Sequence, residues 1–245
     1  MPTLLEPLPP SFAATRDALH RLAVHVLARR RKALTGRIGL RAAAGGFATP
    51  AMGPDAEVLR TSGAWLVHER AGAEAGTRTL DLATATLAEA AAFAGVDLTQ
   101  DHDVGADTPP VGEVAGPLAI DDAAARTLGG WYSLGWTVLD LAVAGAGAGA
   151  EPSVVQLWPE HFDAGCDLAA RDGVRTNVGA SPGDGFHPDP YLYVGPWGAE
   201  RPGDRAYWTA PFGAVLGYAQ LGGAPDPLAT GLAFIQQGLR QLADG

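Results

Sequence analysis

The stretch RIGLRAAAGGFATPAMGPDAEVLRTSGAWLVHE, residues 37–69, decides the fold. It holds two β-type segments, residues 37–49 and 57–69. Between them, Pro50, Gly53, Pro54 and Asp55 form a turn cluster. A link this short cannot hold a crossover helix, so the two segments are expected to pair antiparallel.

Upstream, Pro2, Pro7, Pro9 and Pro10 make residues 1–10 an extended arm. Ser11 is placed to cap a helix whose apolar stripe is Leu19, Leu22, Ala23, Val26 and Leu27, with Gly36 as its stop. Downstream, residues 78–82 form a third strand, and residues 86–94 a short alanine-rich helix closed by Gly95. Residues 97–119 are acidic and proline-rich without periodicity, as in a surface connection.

The second half repeats the order. Asp121 or Asp122 caps a helix through Trp131, Leu134, Val138, Leu139 and Leu141, which ends in the glycine run at 145–149. Strand-like segments follow at 153–162, 174–179 and 191–197, and residues 211–221 suit a fourth strand or a short helix. Asp226-Pro227 opens a last helix carrying Leu228, Leu232, Ile235, Leu239 and Leu242. The expected class is α+β: a mainly antiparallel sheet with long helices packed on one face. It forms a single domain from residue 11 to 245, in two similarly ordered halves at 11–96 and 120–245. A break inside 97–119, giving two separate domains, is the alternative.

The composition narrows the partners. The formal net charge is -10, from 27 acidic against 17 basic residues, which argues against nucleic acid. No apolar stretch reaches the roughly 20 residues that span a bilayer. The first six residues lack a basic segment followed by an apolar one, so export is not expected. A lone Cys166 excludes an intrachain disulfide and suits a reducing compartment. A soluble cytoplasmic protein without membrane partners is the expectation. Much of the apolar fraction is alanine, so the 6 Trp, 7 Phe and 5 Tyr must fill much of the core.

Several short patterns mimic chemistry and dissolve on inspection. Residues 179–183 (GASPG) match a nucleophile elbow in letters, but Pro182 has no N–H for an oxyanion hole and no helix can start after it. The glycine run at 145–149 lies between helix and strand, the reverse of a phosphate loop. The basic run Arg29 to Lys32 suits a solvated helix end. Asp101-His102-Asp103 could ligate a metal, and a solvated acidic loop explains it equally well. His20 and His25, five apart, do not stack as an i, i+4 pair and are assigned packing or surface roles. His68, in a strand, is assigned a satisfied structural role.

The densest candidate is Trp158-Pro159-Glu160-His161-Phe162-Asp163, taken with Asp184, His187, Asp189, Tyr191, Tyr193 and Trp197. If residues 160–163 are extended, His161 and Asp163 share one face. His187 would then complete two histidines and a carboxylate, a set that suits a divalent metal with open positions. A His–Asp pair without metal can serve as a general base. The aromatics Trp158, Tyr191, Tyr193 and Trp197 could wall a pocket.

Five short pieces resemble a bacterial family described as a domain of unknown function: Leu19-His20-Arg21, Gly46-Phe47-Ala48-Thr49, Phe162-Asp163, Ala180-Ser181-Pro182-Gly183 and Tyr191-Leu192-Tyr193. The resemblance implies a shared fold and carries no mechanism. It departs at Glu160 and His161.

Three functions stay open. The favoured one is a small-molecule-binding protein with a pocket around residues 158–163 and 184–197, where Trp158, Asp184, His187, Tyr191, Tyr193 and Trp197 meet the ligand. The second is a metal-assisted hydrolase or isomerase, with His161, Asp163 and His187 as ligands and Glu160 as base. The third is a structural or protein-interaction role.

Overall fold

A computed structural model describes residues 5–72, 75–102, 104–105 and 108–245. It is an α+β fold with two five-stranded antiparallel sheets. The chain forms two compact units: an N-terminal unit of residues 8–132 with 157–162, and a C-terminal unit of residues 1–7, 133–156 and 163–245. The division falls at 132/133, whereas the sequence suggests a join at 97–119. Among the described residues no helix is long and apolar enough to cross a membrane.

In the N-terminal unit, α1 (Phe12–Leu22) runs through a π-helical segment (Ala23–Ala28) into α2 (Arg29–Thr35), and Gly36 ends it in the left-handed region. The expected stripe is the buried face: Leu19, Leu22, Ala23, Val26 and Leu27 are all closed to solvent. The sheet then builds in chain order from β1 (Arg41–Ala43), β2 (Gly46–Ala48), β3 (Val58–Ser62), β4 (Trp65–Arg70) and β5 (Gly76–Asp81). Each of the two expected strands is in fact a hairpin. Residues 37–49 fold back at Gly45 and residues 57–69 at Gly63, both with positive φ (75° and 56°). Two-residue hairpin loops need that conformation, and glycine adopts it without strain. α3 (Leu87–Ala94) follows with the capping box of Thr86 and Glu89 and the Gly95 stop.

The connection at 97–119 is tied down by the first helix. Arg21 donates from Nε to the Val111 carbonyl (3.0 Å), and its second terminal nitrogen donates to the Glu113 carbonyl. His25 Nε2 donates to Pro109 O (2.8 Å), and Arg29 donates to the Asp97 and Gln100 carbonyls (2.7 and 3.0 Å). These three donors are spaced four residues apart along one chain segment. Pro109 and Pro110 have no N–H and cannot enter a ladder, so their segment's carbonyls are met by side chains instead. In return, His102 Nε2 donates to the Val24 carbonyl inside the π segment (3.1 Å). His25 is thus a buried hydrogen-bonding residue. In the Asp101-His102-Asp103 metal reading, Asp103 lies outside the described residues.

His68 is buried and satisfied, as expected. Its Nδ1 accepts from Arg78 (2.8 Å), while Nε2 faces Glu57 (3.4 Å). Glu57 is itself buried and takes a bidentate pair of bonds from Arg30 (2.8 and 2.9 Å), with Arg70 at 3.3 Å. Burial opposes its ionisation, but Arg30, His68 and Arg70 outweigh that and hold its pKa below the usual range.

The C-terminal unit takes the later part of α4 (Asp122–Ala144) and most of the second sheet. That sheet comprises β6 (Gln156–Trp158), β7 (Asp163–Arg171), β8 (Val174–Ser181), β9 (Tyr191–Pro196) and β10 (Ala214–Gly217), in spatial order β10-β9-β8-β7-β6. Residues 211–221 contain both expected alternatives, since β10 is followed by α5 (Tyr218–Gly222). α6 (Pro227–Asp244) begins at the Asp226 cap, whose carboxylate accepts from Ala229 N (3.0 Å).

One face of this sheet is apolar: Ala164, Cys166, Leu168, Val178, Ala180, Leu192 and Val194 are all buried. α6 packs there through small residues. A Cβ on Gly231 would meet Leu192 at 2.8 Å, and one on Gly238 would meet Val194 at 3.0 Å. The other face carries the polar alternates, and it holds the candidate site.

Candidate functional site

The structure corrects the local conformation expected of residues 160–163. Pro159 to Phe162 form a turn, closed by Phe162 N–H donating to Trp158 O (2.7 Å), and β7 begins only at Asp163. Phe162 sits at φ 58°, a left-handed conformation that costs a non-glycine residue roughly 1–2 kcal/mol. Packing holds it there. Its ring stacks on His20 (centroids 4.9 Å apart), meets Phe47 and Tyr132 edge-on, and its carbonyl accepts from the Tyr132 hydroxyl. His20 also donates from Nε2 to Pro159 O (2.9 Å). His161 and Asp163 therefore do not share a strand face, and Glu160 lies buried in the turn while His161 is exposed.

The expected site residues divide between the units. Trp158, Glu160 and His161 belong to the N-terminal unit; Asp163, Asp184, His187, Tyr191, Tyr193 and Trp197 belong to the C-terminal one. Among the described residues no group of three or more His, Cys, Asp or Glu side chains could hold a metal ion.

Within the C-terminal unit, several of these side chains do converge. The register pairs Gly165 with Gly179, and Gly179 with Tyr193. The Tyr193 ring lies over Gly179, where a Cβ would come within 2.4 Å of it. Its hydroxyl passes above Gly165 and donates to the buried Asp163 carboxylate. Glycines at both positions make the groove that the ring fills. One row along, Tyr191 donates to Asp184 Oδ2 (2.6 Å). Asp184 Oδ1 in turn accepts from the backbone of Phe186 and His187 (2.8 and 3.1 Å), which fixes the loop after β8. Burial raises both phenols, Tyr193 well above its ordinary value, and the neighbouring carboxylates raise them further. Both tyrosines are therefore neutral donors at physiological pH.

The rim of this cluster is aromatic. His187 and Phe186 each meet Tyr191 edge-on at 6.0 Å, and Phe212 meets Phe186 at 5.0 Å and Tyr193 at 6.4 Å. Ser181 is buried at the end of β8, and its Oγ accepts from Gly183 N (3.2 Å). No helix follows it, in keeping with the rejection of a nucleophile elbow.

Trp197 lies elsewhere, just past the end of β9, and is 63% exposed. It is nevertheless fixed in place. Its Nε1–H donates to Asn177 Oδ1 (2.8 Å), its backbone N–H donates to Arg175 O (3.1 Å), and the Arg175 guanidinium lies over its ring at 5.6 Å. The ring lines a cavity of about 1090 Å³ whose walls include Arg171, Arg175, Glu151, Pro196 and Leu242. Sequence reasoning found Trp197 but missed the arginines and the hairpin between β7 and β8. The alternation of Asp163, Gly165 and Asp167 with Ala164, Cys166 and Leu168 was a period-2 signal for β7 that small side chains obscure.

Compared with family models, with curated proteins and with solved structures, the chain matches none.

Proposed function

We propose that this protein binds a small organic molecule in the cavity beside Trp197. The carrying observation is an indole that is mostly exposed yet held by two side-chain interactions, on a backbone that is itself hydrogen-bonded, at the wall of a roughly 1090 Å³ cavity. Ligand sites of about 300–1,000 Å³ with a few aromatic and polar groups are the usual arrangement. An exposed aromatic ring that is already immobilised loses little side-chain entropy on binding. The Tyr193–Asp163 and Tyr191–Asp184 pairs support this reading by stiffening β7 to β9, the strands whose ends form the cavity.

A fragment screen by ligand-observed NMR tests the proposal. Aromatic fragments should bind wild-type protein and lose binding on Trp197→Ala. Hits that are indifferent to this substitution would place the ligand elsewhere and end the proposal.

A further inference from the structure

We infer that the cavity selects an organic cation, an amidinium or ammonium group carried on a flat apolar body. The inference rests on the proposed binding role of the same cavity and adds the charge of its occupant. Two guanidiniums and three carboxylates line the walls, and the guanidiniums are already engaged. Arg175 is paired with the Asp167 carboxylate through Nε (2.7 Å) and a terminal nitrogen, and also donates to Glu151 O (3.1 Å). Arg171 donates from Nε to the Leu242 carbonyl in the last turn of α6 (3.2 Å), where a cation offsets the negative end of the helix dipole.

Glu151, Asp172 and Glu200 are different. Each is exposed, lines the same cavity, and has no side-chain hydrogen bond or ion pair among the described residues. The formal charge left unanswered around the cavity is therefore negative. Trp197 adds the matching surface. An indole face attracts cations more strongly than any other side-chain ring, and Arg175 shows that this ring already accepts a guanidinium on one side. Gly147, Gly149, Gly173 and Gly198 leave open space where side chains would otherwise fill the walls. An anion, by contrast, would have to compete with Asp167 for Arg175, and at the remaining donors of Arg171 it would meet the repulsion of three carboxylates that line the same cavity.

The test uses three ligands of one shape and three charges: 2-naphthamidine, 2-naphthamide and 2-naphthoate, titrated calorimetrically into the whole chain. The amidine should saturate one site at least tenfold more tightly than either relative. Trp197→Ala should weaken it at least tenfold, and the double variant Glu151→Gln, Glu200→Gln about three- to tenfold, with unchanged circular dichroism in both. Raising salt from 50 to 500 mM should weaken the amidine and leave the amide unaffected. Equal binding of amide and amidine, both lost in Trp197→Ala, would overturn the charge selection and leave the binding role standing. Tighter binding of the naphthoate would assign the site to the arginines and also overturn it. Absence of binding by all three, up to their solubility limits, would count against both the inference and the binding role.

Discussion

In the N-terminal sheet, the buried carboxylate of Glu57 answers to Arg30, Arg70 and His68, whereas in the C-terminal sheet Asp163 meets the neutral hydroxyl of Tyr193. The first arrangement stores charge in the core and neutralises it with more charge. The second keeps its polar groups on a sheet face, satisfies them with phenols, and leaves the exposed Trp197 further along the same sheet. Buried ion clusters are costly to break, because removing one member strands the others. An exposed ring can be removed with little effect on folding. The N-terminal unit is thus the more sensitive to charge and pH, and the C-terminal sheet the better placed to carry a ligand.

The largest effect tests the ion cluster. Glu57→Ala leaves Arg30 and its neighbours without their anion and should destabilise the protein by about 3–5 kcal/mol in urea unfolding. A loss under ~1 kcal/mol would show that water replaces the carboxylate. Next, Gly179→Ala drives a methyl into the Tyr193 ring and should cost about 1–3 kcal/mol, with Tyr193→Ala partly restoring stability in the double variant. If the two losses simply add, the ring does not depend on the glycine groove.

The pH response separates the regions further. His20, His25, His68 and His102 all have lowered pKa values, in each case chiefly through burial, and His102 falls to about 4. The unfolded chain therefore takes up protons first as pH drops below about 6.5. Stability should be full above that value and decline as pH falls towards 4, with amide exchange rising earliest in the 97–119 connection. His102→Gln should flatten the lower part of that curve, and an unchanged melting profile would remove His102 from the account.

Two smaller effects concern the C-terminal sheet. Burial pushes the Cys166 thiol up to about 12, so alkylation in native buffer should be slow and should accelerate only with unfolding. Trp197→Ala should change unfolding stability by less than about 0.5 kcal/mol. A much larger loss would make the indole a packing residue and weaken its reading as a binding surface.

Much of the framework was legible in the sequence because it is local. The first helix announces itself by its apolar period and the Gly36 stop, although Ser11 makes no side-chain capping bond; the helix at 87–94 does so by the Gly95 stop, and the last helix by its opening at Asp226-Pro227. The hairpin turns at Gly45 and Gly63 were present as letters but read as strand interior, since the alanines around Gly45 give no contrast between faces. The candidate site was legible only in part. Tyr191, Tyr193, Asp184 and Asp163 were found as residue types near in sequence, yet their pairing depends on strand register. The extended reading of residues 160–163 fails because a turn, closed by Phe162 N–H on the Trp158 carbonyl, occupies those positions and β7 begins only at Asp163.

By itself, then, the sequence determined the α+β class, most helix boundaries and that no helix among the described residues is long and apolar enough to cross a membrane, because propensity, capping and hydrophobic period act within a few residues. Only the tertiary structure decided that Arg21, His25 and Arg29 tie down the proline-rich connection, that Tyr193 lies in a glycine groove, and that Arg175 and Arg171 are already engaged beside Trp197. Several of those outcomes join residues 68 to 90 positions apart, and the shorter ones depend on strand register; a partner so chosen is set by packing and by the need to satisfy buried polar groups.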